Sequence, residues 1–140
     1  MKRLISAALA LALASCAGNR PSARDTIASD IEEMRAAAAQ SIKDPGRAKR
    51  VDRSIDGLGK DLLALQEAIA NLRFHLRTVN ARPDATRAEF DALLDTFEAE
   101  RKALRSRILA RHFELTAATT EEEWKALWRH ERDALSVAAH

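Results

Sequence analysis

The sequence predicts an all-α protein: an antiparallel helical bundle of about four helices, two of them long and central. Two observations carry this reading. The composition is rich in Ala, Leu, Arg and Glu, with no Tyr and only four Gly and three Pro in 140 residues, a usage that goes with long helices. Apolar residues also recur at steps of three and four, the period of a helix face rather than of a strand.

The first helix is expected from about Thr26 to Ile42, with Ile27, Ile31, Met34, Ala38 and Ile42 on one face. Ser22 and Asp25 have capping-box spacing just ahead of it. Asp44-Pro45-Gly46 ends it, because proline disfavours helical geometry at the preceding residue and glycine supplies a turn. The second helix has the most regular pattern in the chain: Val51, Ile55, Leu58, Leu62, Leu65, Ile69, Leu72, Leu76 and Val79 alternate steps of four and three. That is a coiled-coil seam. Gly57 and Gly59 interrupt it at a cost of about 1 kcal/mol each relative to Ala, which suggests a kink or a break. Leu63, Ala70 and Phe74 form a second strip that one partner helix does not cover, so a bundle is expected rather than a bare hairpin.

Residues 80–84, with Pro83, make the next turn, and Thr86 and Glu89 cap a third helix running to about Thr116. Its seam is Phe90, Leu94, Phe97, Leu104, Ile108 and Leu115, with Arg101 and Arg111 in the same register. Thr120-Glu121-Glu122-Glu123 opens the fourth helix with a capping box and three carboxylates at the positive end of its dipole. Trp124, Leu127, Trp128 and Leu135 share a face of that helix, which runs to about Ala138. Short connections make sequential helices antiparallel neighbours.

The N-terminus reads differently. Lys2 and Arg3 precede an uncharged run from Leu4 to Ala14, followed at once by small residues. This is the order of a secretory signal peptide, and the run is shorter than the ~20 residues that span a bilayer. Leu13-Ala14-Ser15-Cys16 resembles the lipobox of bacterial lipoproteins. That resemblance implies cleavage before Cys16 and acylation of its thiol, a membrane anchor of several acyl chains, palmitate among them. Ala17 in place of Asp implies outer-membrane sorting and a periplasm-facing domain. The expected organisation is a signal peptide over 1–15, a tether over 16–25 and a helical domain over 26–140. Cys16 is the only cysteine, so lipidation leaves neither a free thiol nor a disulfide.

Loss of Lys2 and Arg3 leaves 21 basic and 21 acidic residues, so the basic balance of the whole chain is no nucleic-acid footprint. No phosphate-binding glycine loop, nucleophile–base spacing or carboxylate pair in an apolar context stands out, and no catalytic residue, cofactor or small-molecule substrate is expected. His75, His112, His130 and His140 show no i, i+4 pairing and no Cys or Met neighbours. They are expected on or near solvated faces, without a metal.

Two basic clusters do stand out: Lys43, Arg47, Lys49, Arg50 and Arg53, and Arg101, Lys102, Arg105, Arg107 and Arg111. A fold-back near residue 82 sets Arg107 beside Leu58 and Arg111 beside Ser54, gathering both clusters at one end. There they meet anionic lipid, lipopolysaccharide phosphates or an acidic protein, or they are neutralised by Glu121, Glu122 and Glu123. Trp124 and Trp128 share a face that is core, an interfacial membrane anchor or an apolar client-binding ledge. Arg101 and Glu131 fall centrally on the stripes of their helices and are expected to meet as an ion pair, or Arg105 replaces Arg101; the alternative is that Arg101 reaches solvent along its aliphatic stem.

The Arg-rich long hairpin and Leu115-Thr116 ahead of an acidic helix start resemble the Spy and CpxP type of envelope-stress chaperones and their metal-sensing relatives. The family's Leu-Thr-x-x-Gln motif ends here in Thr119 rather than Gln. The resemblance implies a lipid-anchored, non-catalytic binding module that holds unfolded clients or modulates a stress sensor. The alternative is a structural or assembly subunit docking on another envelope component. An apolar, basic-rimmed concave face favours the first, and a closed core with polar faces the second.

Overall fold

Four α-helices follow one another in the computed structural model, which describes residues 21–139: α1 (Ala23–Ser41), α2 (Pro45–Asn80), α3 (Arg87–Ala118) and α4 (Glu121–Ala138). The expected signal peptide, the lipobox-like segment with Cys16 and the terminal His140 lie outside the described residues. No helix among the described residues is long and apolar enough to cross a membrane.

The helix starts follow the capping chemistry of the sequence. Ser22, Thr86 and Thr120 each accept a hydrogen bond from the N3 backbone N–H while the N3 carboxylate reaches back, and Asp44 accepts from the Arg47 N–H ahead of Pro45. Because Asp25 is itself inside the helix, α1 begins three residues earlier than the expected Thr26.

The two glycines do not break α2, which runs unbroken for 36 residues, about 54 Å. They permit close approach instead. A Cβ on Gly59 would lie 3.2 Å from Ile31 Cγ2, and one on Gly57 would lie 2.5 Å from Arg111 Nε. Gly59 therefore lets α1 seat on α2, and Gly57 lets a guanidinium lie across the α2 backbone.

The core joins all four helices over half the length of the molecule. Ile27, Ile31, Met34 and Ala38 of α1 and Val51, Ile55, Leu58 and Leu62 of α2 meet Ile108 and Leu115 of α3 and Leu127, Ala134 and Ala138 of α4. α1 starts beside Leu63 and Gln66, and α4 ends there, where Gln66 donates to the carbonyls of Val137 and Ala138 at 3.1 and 3.0 Å. Beyond that level, among the described residues, α2 and α3 continue without α1 and α4. No residue from 69 to 103 is fully buried, so the far half of the hairpin is a two-helix stalk. The second apolar strip of α2 is split by the same boundary: Leu63 packs against the core, whereas Phe74 on the stalk is 64% exposed.

Helix pairing departs from simple sequence adjacency. α2 packs on α3, and α1 packs on both α2 and α4, but the backbones of α3 and α4 stay apart beyond their short turn. Side chains bridge that gap, His112 of α3 reaching Glu131 of α4. The α2–α3 register also lies about one turn from the expected one. Arg107 faces Asp61 rather than Leu58, donating to its carboxylate at 2.7 Å, and Ser54 faces Glu114 at 2.9 Å rather than Arg111. The hairpin therefore folds about Asp84 rather than residue 82, within the connection between Asn80 and the Thr86 cap.

Candidate functional site

Where α3 and α4 diverge, a groove of about 360 Å³ opens between α2, α3 and the end of α4. Leu62 and Ile108 belong to its floor and to the core, while Leu65, Ile69, Leu109 and Leu135 are only partly covered or exposed. Arg101 and Arg105 complete the lining, both exposed. The volume falls in the range of ligand-binding clefts. The expected seam residues Leu65 and Ile69 are thus groove residues more than core. α4 ends at their level, so among the described residues they are only partly covered.

Apolar surface continues from the groove along the α3–α4 side. Leu109 is 47% exposed and Phe113, one turn on, 65%. The Phe113 ring meets the edge of His112 at 5.5 Å between centroids, and His112 meets Trp124 at 5.5 Å on the other side. The two tryptophans part ways. Trp124 packs against the core, whereas Trp128 is 43% exposed, with the Arg132 guanidinium 4.8 Å above its ring. Trp124 is core and Trp128 is surface, so neither uniform reading of the pair holds.

The ion pair between Arg101 and Glu131 does not form. Arg101 lies on the surface and donates to Glu98 at 2.7 Å, within its own helix. Arg105 does not replace it and has no partner among the described residues. Glu131 is buried, as its central place on the stripe requires, but its partner is His112, whose Nδ1 lies 3.0 and 3.1 Å from the two carboxylate oxygens. The partner stands two turns along α3 from the Arg105 position because α4 packs on α1 instead of pairing with α3 from the turn onward. The signal was present: His112 is four residues after Ile108 and three before Leu115, squarely in the buried register. Burial raises the Glu131 carboxyl above the ordinary carboxylate range, and the His112 hydrogen bond opposes that rise.

At the opposite end of the four-helix region, the basic clusters are partly neutralised. Arg47 grips Glu123 through two hydrogen bonds of 2.6 and 3.0 Å, tying the start of α2 to the start of α4. That contact and the Thr120 cap hold the Glu123 carboxyl below its usual range. Glu121 is taken by Lys125 instead, 2.7 Å away. The second cluster does not gather at this end as a whole, since Arg101 and Arg105 line the apolar groove.

The remaining histidines are ordinary in their surroundings. His130 Nδ1 sits 3.2 Å from Glu33, and His75 stacks its edge on Phe74 on the stalk. No group of three or more His, Cys, Asp or Glu side chains among the described residues is arranged to hold a metal ion. Compared with protein-family models, curated proteins and solved structures, the chain matches none.

Proposed function

We propose that this chain is a lipid-anchored envelope protein, held at the periplasmic face of the outer membrane by acylated Cys16, that binds client proteins without catalysis. The observation that carries this reading is the groove of Leu65, Ile69, Leu109 and Leu135 edged by Arg101 and Arg105. An apolar cleft with a cationic edge suits a short apolar segment flanked by acidic residues, as presented by an unfolded chain or an amphipathic helix. Covering the exposed Leu109 and the half-buried Leu65, Ile69 and Leu135 supplies the attraction, at roughly 25 cal/mol per Å² of apolar surface removed from water. The arginines select among apolar segments rather than adding much affinity.

A second reading has its own support. The stalk over residues 69–103 presents a half-covered seam and the exposed Phe74, a shape suited to docking on another envelope component. Suppression of client aggregation separates the two. Purified protein should hold an unfolded, acidic model client in solution, followed by light scattering, and Leu109→Asp should abolish this while leaving the helical signal intact. Phe74→Asp should leave holding unchanged. Equal suppression by Leu109→Asp and wild type would reject the groove as the client site.

A further inference from the structure

We infer that the arginine-lined cavity between the first turns of α2 and the last turns of α3 is a binding site for a phosphate-bearing group. The cavity is about 540 Å³ and is lined by Arg47, Arg50, Arg53, Arg111, Ser54 and Glu114, with two alanines at its α3 edge. It shares no lining residue with the apolar groove, so it stands independently of the client reading.

The charges in it do not balance. Arg47 is matched by Glu123 and Arg111 by Glu114, at 2.6 and 2.9 Å. Arg50 and Arg53 have no hydrogen-bond or ion-pair partner among the described residues. The acids within reach on α2 are already engaged: Asp52 by Arg35, and Asp56 by both Arg35 and Lys60. Glu114, the one carboxylate lining the cavity, is held by Arg111 and by the Ser54 hydroxyl. Arg47 and Arg50 also stand in the first two turns of α2, whose first turn carries no acidic residue after the Asp44 cap. Cations there oppose the helix dipole.

Two uncompensated guanidinium groups suit a dianion with several acceptor oxygens, and the planar fork of arginine matches phosphate with paired hydrogen bonds. The cavity has room for a phosphate carried on a larger body such as a sugar or a glycerol backbone. Glu114 sets the limit on the ligand's charge at the α3 side.

The phosphate comes from a lipid headgroup or from a soluble compound. The chain enters α1 beside Leu63 and Gln66, and Arg50 lies sixteen residues back along α2, about 24 Å away. From Cys16 to Ser22 the tether spans at most about 22 Å. A headgroup of the anchoring bilayer therefore reaches the cavity when the bundle lies along the membrane, whereas a soluble phosphate reaches it in any posture.

Arginine-selective labelling with phenylglyoxal, read by mass spectrometry, tests the site on the full acylated chain. Three samples are compared: phosphatidylcholine vesicles alone, vesicles containing phosphatidic acid, and phosphatidylcholine vesicles with added glycerol phosphate. Labelling of Arg50 and Arg53 should fall severalfold in the second sample, the third, or both, while labelling of exposed Arg129 stays constant. Protection in the second alone assigns a lipid headgroup, and protection in the third assigns a soluble phosphate. Glu114→Gln should deepen the protection. Unchanged labelling of Arg50 and Arg53 in both samples, or equal protection of Arg129, would overturn the proposal.

Discussion

His112→Ala should be among the most damaging single substitutions on the surface of this protein. Glu131 is 3% exposed, and the His112 ring is the only hydrogen-bond partner of its carboxylate among the described residues. Removing one partner of a buried pair typically costs about 3–5 kcal/mol, because the other charge stays buried without compensation. The His112 side chain is 36% exposed, so solvent screens part of this, and about 2–3 kcal/mol is expected here. That is a large share of a typical folding stability of about 5–15 kcal/mol. Glu131→Gln keeps the shape and an acceptor and removes the charge, so it should cost less.

The pH dependence identifies the cause. Burial already raises the Glu131 carboxyl above its ordinary 4.5, and loss of the opposing hydrogen bond from His112 raises it further. A carboxyl with a raised folded-state pKa binds its proton more tightly in the folded chain than in the unfolded one. Stability then falls as pH climbs from the unfolded value through the folded value. The His112→Ala deficit should be full at neutral pH and shrink as the solution is acidified towards pH 4.5. Urea unfolding followed by circular dichroism at both pH values measures it. A deficit below about 0.5 kcal/mol at neutral pH, or one that grows on acidification, would refute the pairing argument.

Other substitutions probe the boundary between core and groove, the helix contacts and the anchor. Leu62→Ala, at a fully buried site, should cost about 2–5 kcal/mol, whereas Leu65→Ala should cost less than about 1.5, both read from denaturant midpoints. Gly59→Ala should destabilise by about 1–2 kcal/mol despite its better helix propensity, because the new methyl presses on the stiff branched side chain of Ile31, 3.2 Å away. Thermal unfolding measures that balance, and a stabilised Gly59→Ala would mean that α1 is not seated there. Cys16→Ser should release the protein from membranes or stall the precursor in cell fractionation; unaltered processing and membrane retention would rule out lipidation at Cys16.

Local chemistry made the fold legible. Each capping box named a helix start, and the steps of three and four in α2 named its inner face from Val51 to Leu62. The failures concern which helices meet. The pattern of α2 continues unchanged through Leu72, Leu76 and Val79, but among the described residues only α3 accompanies it there, so an identical signal gives core in one half and a half-exposed stalk in the other. Periodicity reports that a face is apolar, not how many partners cover it. The glycines were misread for a related reason. Their cost in propensity is visible in the sequence, but the neighbours that require them, Ile31 and Arg111, come from other helices. Arg101 fell in register by counting heptads, yet α3 turns it outward and leaves His112 to meet Glu131. The candidate groove was least legible of all, because it arises where α4 follows α1 rather than its sequence neighbour α3.

The client-binding account is tested most directly by photo-crosslinking from position 109 in intact cells. A photoreactive amino acid replaces Leu109 in the groove, and in a parallel strain it replaces Ala36, an exposed residue of α1. The account predicts crosslinks to several envelope proteins from position 109, increased when envelope folding is disturbed, and none of these from position 36. The same products from both positions, or none from 109 under any condition, would contradict it.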